Sequence, residues 1–434
     1  MAKHVYIEDL KNHIGEEVEI RGWLYNRRSS GKIKFLIIRD GTGFVQAVVV
    51  KSEVPEEVFE LDPPYESSVI VRGIVREDRR APGGVELTVK DLKVVQEAGE
   101  YPIPAKVRES NIPDVDVLLP RRHLWVRARK QWAILRIRDE IEKAIVDFFY
   151  DRGFTRADPP ILTPASVEGT TTLFETDYFG KPAYLSQSGQ LYLEALAMSL
   201  GKVYSFGPTF RAERSKTRRH LAEFWMVEPE AAYFRLEDII DLAEEFVEYI
   251  VQRVVERRAV ELEIMGRDVQ KLKNIKRPFY RITYEEAIER LRKKGMDVKY
   301  GDDFGADEEK ALVEDFDKPV SIMFYPKEIK PFYMKIDDKD PTKVRNFDML
   351  APEGIGEIIG GSEREDDFDK LLERIKEENL PVDVYEWYLD LRRYGSVPHS
   401  GFGLGVERTV MWISGASHIR ETIPFPRLLE KIYP

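Results

Sequence analysis

Two stretches of the sequence gather the residue types that hold phosphate. Phe210-Arg211-Ala212-Glu213-Arg214-Ser215-Lys216-Thr217-Arg218-Arg219-His220-Leu221-Ala222-Glu223-Phe224 places four arginines, a lysine and a histidine between strand-forming segments. A guanidinium forks onto two phosphate oxygens, so a hairpin loop of this make-up suits a polyphosphate, although a solvated charged loop has the same composition. The second stretch is Gly401-Phe402-Gly403-Leu404-Gly405-Val406-Glu407-Arg408. Its glycines permit close backbone approach to a ligand and it ends in an arginine at a helix start, a pattern that plain helix–sheet packing also produces. Other chemistries lack support. No G-x-x-x-x-G-K-[ST] occurs, and the glycine run has neither the full dinucleotide fingerprint nor a βαβ setting. The six histidines lack zinc spacing, hydrolytic triads have no local support, and the absence of cysteine removes thiolate sites and disulfides.

The elements that must position these stretches follow from pattern. Glu17–Arg28, Lys32–Asp40, Phe44–Lys51, Val69–Asp78 and Val85–Gln96 read as five strands, with a short helical stretch between the third and fourth. That layout matches an all-β OB barrel, with an SH3-like module as the alternative. Residues 98–120, with Pro102, Pro104, Pro113 and Pro120, read as an ordered linker between a domain at 1–97 and another at 121–434. In the second domain Ile134, Ile137, Ile141, Ile145 and Phe148 recur at helical spacing, and Gly153 stops that helix. Strand-like runs at Ala183–Leu185, Lys202–Thr209, Glu223–Glu230, Ser321–Phe324 and Phe332–Lys335 alternate irregularly with helices at Leu236–Met265 and Thr283–Lys294, an α+β order.

The chain has 434 residues, enough for two or three domains, and a formal charge of −11. A polyanionic partner must therefore dock on local basic patches. The longest apolar run, Phe44 to Val50, is far short of a membrane span, and no signal-peptide core opens the chain, so a cytoplasmic protein with no membrane partner is expected. Charged residues at 33% beside six Asn and seven Gln hint at a hot habitat.

The two phosphate-suited stretches, preceded by Gly153-Phe154-Thr155-Arg156-Ala157-Asp158-Pro159-Pro160-Ile161-Leu162, resemble motifs 2, 3 and 1 of class II aminoacyl-tRNA synthetases. With an OB domain in front, the chain resembles the aspartyl, asparaginyl and lysyl subgroup over nearly its whole length. The resemblance implies a catalytic domain on an antiparallel sheet, a homodimer through that domain with motif 1 and Pro160 in its interface, and a bent ATP with Mg²⁺. It implies that Arg211 contacts the α-phosphate, Glu213 the adenine side, and His220 and Arg408 the β- and γ-phosphates, with Phe224 and Arg408 around the adenine ring. Arg219, Leu221, Gly405 and Glu407 complete the expected ATP set, Asp348 and Glu357 the Mg²⁺ set. Arg211, Glu357 and Arg408 are the expected catalytic residues.

Where aspartyl enzymes carry Q-S-P-Q-L-[YF]-K, this chain has Gln187-Ser188-Gly189-Gln190-Leu191-Tyr192-Leu193, so the lysine that pairs with a substrate carboxylate is Leu193. Glu228 replaces an Asp, and Arg364 is retained. Charge and donor direction must separate two nearly isosteric amino acids, which points to L-asparagine. Glu228 would meet the amide or the ammonium group, Glu168 is a second candidate for the ammonium, and Ser188, Gln190 and Arg211 complete the pocket. On the barrel, Arg27, Arg28, Phe35, Gln46 and Glu86 are candidates for reading the anticodon of tRNA, with Phe35 equally readable as core. Arg121-Arg122 and Arg127 to Arg138 could follow the tRNA backbone or lie at the dimer interface. An aspartyl enzyme, a tRNA-independent ligase making asparagine and an inactive nucleic-acid-binding regulator are the alternatives.

Overall fold

The computed structural model describes residues 2–110, 115–164, 173–214 and 219–434, which form two compact units, Met1–Leu118 and Leu119–Pro434. In the first, strands Glu17–Ser30, Ile33–Arg39, Phe44–Val50, Val85–Gln96 and Ser68–Glu77 lie side by side in that order. The first also pairs with the last, Glu17 opposite Ile74, so the sheet closes on itself and leaves few bare edges. Side chains alternate along each strand. Leu36, Ile38, Ala47, Val49, Val71, Val75, Leu87 and Val89 point inward with Ile20 and Leu24 as one apolar core. The expected helical stretch is Glu56–Glu60, and an unanticipated short strand, Lys3–His4, runs parallel to Val18 and Glu19.

The stretch expected to be an ordered linker makes specific contacts with the barrel in its described part. Ala98 donates its N–H to Ser67 Oγ at 3.0 Å. Arg108 is buried, donating to the Tyr25 carbonyl at 3.0 Å and to Glu66 at 3.3 Å, with its guanidinium 4.0 Å from the Tyr25 ring centroid. Pro104 precedes the short helix Ala105–Arg108, whose last residue is the well-paired arginine that ties the segment to the barrel.

The second unit is built on an eight-stranded sheet. Its order is Tyr280–Thr283, Val320–Met323, Asn346–Ala351, Gly356–Glu363, His399–Gly405, Glu223–Ala232, Lys202–Phe210 and Thr155–Arg156. Pairing is antiparallel through the middle six strands and parallel at the two outermost pairs. One face is covered by helices Arg129–Asp151 and Leu236–Arg257. Ile134, Ile137, Ile141, Ile145 and Phe148 of the first meet Phe246, Val247 and Ile250 of the second and Val227, Phe347, Phe402 and Leu404 of the strands. The two helices are also clamped by charge, with Arg253 donating to Glu140 at 2.7 Å and Asp147 at 2.6 Å.

Three expectations are corrected. The helix foreseen over Leu236–Met265 breaks at Arg258 into Leu236–Arg257 and Ala259–Ile264. Phe332–Lys335 forms no strand: only the isolated bridges Met334 to Arg364 and Ile336 to Val344 occur, because its apolar side chains are drawn into a cluster with Leu371, Tyr385 and Tyr388. The basic run is not a free patch throughout, since Arg122 is buried against the carbonyls of Pro424 and Ile423 at 2.8 and 3.0 Å. No helix among the described residues is long and apolar enough to cross a membrane.

Packing in the sheet is tight enough to test. A Cβ at Gly361 would lie 2.4 Å from the Phe347 ring and 2.8 Å from Phe402 Cβ, whereas one at Gly207 would meet nothing within 4 Å. Gly361→Ala is expected to destabilise by about 1–3 kcal/mol through overpacking, and Gly207→Ala to leave stability nearly unchanged. Thermal unfolding of both variants checks this, and equal melting temperatures would refute it.

Candidate active site

The open face of this sheet carries a row of polar groups because its strands alternate. On Glu223–Ala232, Trp225, Val227 and Ala231 face the helices, so Phe224, Met226, Glu228 and Glu230 face the other way. Alternate side chains on a strand stand ~7 Å apart, so the row spans a ligand of nucleotide length. Beside it runs His399–Gly405, with Gly405 opposite Met226 and Gly401 opposite Glu230. Phe402 and Leu404 turn into the core, leaving Gly401, Gly403 and Gly405 on the open face. A Cβ at Gly401 would fall 2.1 Å from Glu230 Oε1, and one at Gly403 2.4 Å from Met226 Cε. These glycines thus make room for side chains of the neighbouring strand.

One cavity on this face is lined by Arg211, Glu213, Arg219, His220, Leu221, Phe224, Glu357, Gly405, Glu407 and Arg408. Arg211 leaves the hairpin just after its last pair, Phe210 with Glu223, and its guanidinium sits 5.4 Å from the Phe224 ring centroid. Arg408, in the first turn of helix Val406–Ser414, donates to the Glu357 carbonyl at 2.8 Å. Arg219 donates to Glu309 at 3.1 Å and to the Gly354 carbonyl. Burial, then the cationic Arg408, pushes His220 below its ordinary value, so the ring is a neutral group among cations. Glu407 lines the cavity and also has a structural part. Its carboxylate accepts from Arg138 at 2.7 Å and from the Trp225 N–H at 3.0 Å, so it clamps the helix Arg129–Asp151 to the hairpin.

Carboxylates gather at one end of the cavity. An added Cβ at Gly360 would lie 3.1 Å from Glu357 Oε1 and 3.7 Å from Asp348 Oδ1, so the two acids flank the same spot. Burial raises Asp348, with Glu357 adding to the rise, and Lys330 Nζ at 2.7 Å offsets it. Burial and the charge of Glu357 lift Glu309 to about 7. No group of three or more His, Asp or Glu at metal-holding spacing occurs among the described residues. A pair of hard carboxylates does fit Mg²⁺, which takes one or two such ligands and fills its shell with water and phosphate.

Beyond the cavity, Glu228 accepts from Ser188 Oγ, from the Gly189 N–H at 2.9 Å and from Ser205 Oγ at 3.4 Å. Gln190 opens the helix Gln190–Leu200 and donates to Glu194 at 3.2 Å. Arg364 is bound to Glu230, an acid the sequence reading passed over although its i, i+2 spacing from Glu228 puts both on one strand face. Glu309, Lys330 and Glu194 were missed too, because they arrive from distant segments. Leu193 is corrected: it is fully buried with Ala197 and Val203, an apolar packing position rather than part of a polar pocket. Glu168 lies outside the described residues.

On the barrel, Phe35 stands opposite Arg28 and Val48, with the Arg28 guanidinium 4.4 Å from its ring centroid. It is half-buried on the outer face, while Leu36 beside it enters the core. Gln46 and Glu86 are paired across strands and joined by a 3.1 Å hydrogen bond. Arg27 is separate, since it stands opposite Leu36 and its guanidinium is held by Asp62 and the Pro63 carbonyl.

Residues 114–429 match the family described as tRNA synthetases class II (D, K and N), and residues 18–95 match the OB-fold nucleic acid binding domain. The chain is 59% identical over 430 residues to an asparagine–tRNA ligase of Desulforamulus reducens, covering 99% of both. It is 57% identical over 441 residues to that of Thermus thermophilus, covering 99% of this chain and 100% of the relative. Among solved structures, asparaginyl-tRNA synthetase from Pyrococcus horikoshii complexed with asparaginyl-adenylate matches with TM-score 0.94 and 52% identity, covering 100% of both chains. A putative aspartyl-tRNA synthetase from Leishmania major matches with TM-score 0.86 and 27% identity, covering 100% of this chain and 95% of that one. The open sheet face, the arginine-lined cavity and a full-length match at this identity lead to one conclusion: the chain belongs to the class II aminoacyl-tRNA synthetases of the aspartyl, lysyl and asparaginyl group.

Proposed function

We propose that the chain is an asparagine–tRNA ligase, which joins L-asparagine to ATP as asparaginyl-adenylate and then transfers the amino acid to the 3′-terminal ribose of tRNA(Asn). The observation that carries this is the convergence of Arg211, Arg219, His220 and Arg408 around Phe224 in one cavity beside the Glu228 and Arg364 pocket. In the first step a carboxylate oxygen of asparagine bonds to the α-phosphorus and pyrophosphate leaves. No proton moves, so no general base is needed. Arg211 stabilises the charge that builds on the α-phosphate, Arg408 and His220 hold the outgoing phosphates, and Phe224 stacks the base. Glu357 and Asp348 would hold Mg²⁺, which neutralises phosphate oxygens when bound. In the second step the ribose 3′-hydroxyl attacks the adenylate carbonyl and AMP leaves. The Arg28, Phe35, Gln46 and Glu86 face of the barrel suits unstacked anticodon bases.

A cytoplasmic homodimer through the catalytic domain is part of this reading. Pro160 is exposed, and Ile161 and Leu162 beside it are 44% and 42% exposed, an apolar edge suited to a partner subunit.

Three measurements test these statements. ATP–pyrophosphate exchange should run with asparagine and be at least about tenfold weaker in kcat/KM with aspartate; dominant aspartate activation would defeat the reading. Arg408→Ala should lower exchange by about 100-fold or more without loss of the folded dimer, whereas unfolding would make the residue structural. Glu309 titrates near 7 in the fold against an ordinary 4.5, so between those values the folded chain retains a proton that the unfolded chain has released. Stability therefore falls as pH rises through that window. Glu309→Gln should raise the melting temperature relative to the parent at pH ~8 but not at pH ~4, and an equal change at both would contradict this electrostatic account.

A further inference from the structure

Asparagine and aspartate differ at one end by a charge and a donor, so the pocket must control the charge it presents. Arg364 is the cation expected to face that end, yet its charge is already answered. Its Nε donates to Glu230 Oε1 at 3.0 Å, Nη2 donates to the same oxygen, and Nη1 donates to Ser362 Oγ at 2.7 Å. The Arg364 and Glu230 side chains are 3% and 1% exposed. A guanidinium has five N–H donors, so these three bonds leave two for an acceptor on a ligand. Glu230 Oε2, buried, has no hydrogen-bond partner among the described residues.

The seat of Glu230 is built into the sheet, since only glycine at 401 leaves room for its carboxylate. Glu194 lies behind it, fully buried, accepting from Arg392 at 2.8 Å, from His399 at 2.8 Å and from the Tyr388 hydroxyl at 2.7 Å. Burial, and then the charge of Glu194, raises the Glu230 carboxyl, and the cation of Arg364 works against that rise. A second carboxylate on the same guanidinium would add a like charge where little solvent screens it.

We propose that Glu230 is a specificity-determining positioning residue: by gripping Arg364 through one oxygen it cancels the guanidinium's charge toward the substrate while leaving N–H donors free, so the pocket takes a carboxamide and rejects a carboxylate. The inference rests on the asparagine reading above. It moves the source of discrimination from the missing lysine at 193, which the fold places in an apolar cluster, to an acid on the hairpin.

The test is ATP–pyrophosphate exchange by the full-length chain with asparagine and aspartate separately, with the KM for ATP measured alongside. Glu230→Gln keeps the shape and removes the charge, and it should raise the aspartate-to-asparagine ratio of kcat/KM by about tenfold or more with the KM for ATP unmoved. Glu230→Asp keeps the charge and should hold the ratio within about threefold of the parent. Gly401→Ala, which crowds the carboxylate off its seat without altering any charge, should move the ratio the same way as Glu230→Gln and serves if that variant does not fold. An unmoved ratio in Glu230→Gln, or an equal change in Glu230→Asp, overturns the proposal. A parent that itself prefers aspartate would sink the asparagine reading instead, so the two failures are distinguishable.

Discussion

The register between strands Glu223–Ala232 and His399–Gly405 is the constraint on which the site depends. It sets Phe224, Met226, Glu228 and Glu230 on the open face and Val227, Phe402 and Leu404 in the core. A slip of one residue would send the acids into the helix-packed side and the apolar side chains into the cavity. The glycines at 401 and 403 guard this register from the other side, because any side chain there would strike Glu230 or Met226. Packing and chemistry are thus two faces of the same two strands.

Charge inside the second unit is handled by pairing. Arg253 is answered by Glu140 and Asp147, Arg138 by Glu407, and Arg364 by Glu230. Removing one partner of such a pair strands a buried charge, which is why these contacts lock geometry even where they add little net stability. The end of the cavity near Glu357 is the contrast. There Glu309 and Asp348 are pushed upward by burial and by Glu357, so acids stay crowded until cations arrive. Lys330 meets part of that demand at Asp348.

Much of the fold was legible before the structure. Alternating apolar residues marked the five barrel strands, and the Ile134 to Phe148 spacing marked the long helix, because burial on one face leaves a period in the sequence. The grouping of Arg211, Arg219, His220 and Arg408 was legible through residue type and motif order. Phe35 was not assignable, since an aromatic on a strand reads alike on either face; the half-buried position opposite Arg28 distinguishes them.

What the sequence determined by itself was therefore local: strand and helix periods, the glycine run, the arginine-rich hairpin and an apolar residue at position 193. Tertiary structure alone decided which charge answers which. Glu407 is paired with Arg138, Asp348 with Lys330 and Arg364 with Glu230, over separations of 269, 18 and 134 residues. Such partners carry no mark of one another in the chain, because a buried ion pair is chosen by distance and desolvation after folding has brought its members together.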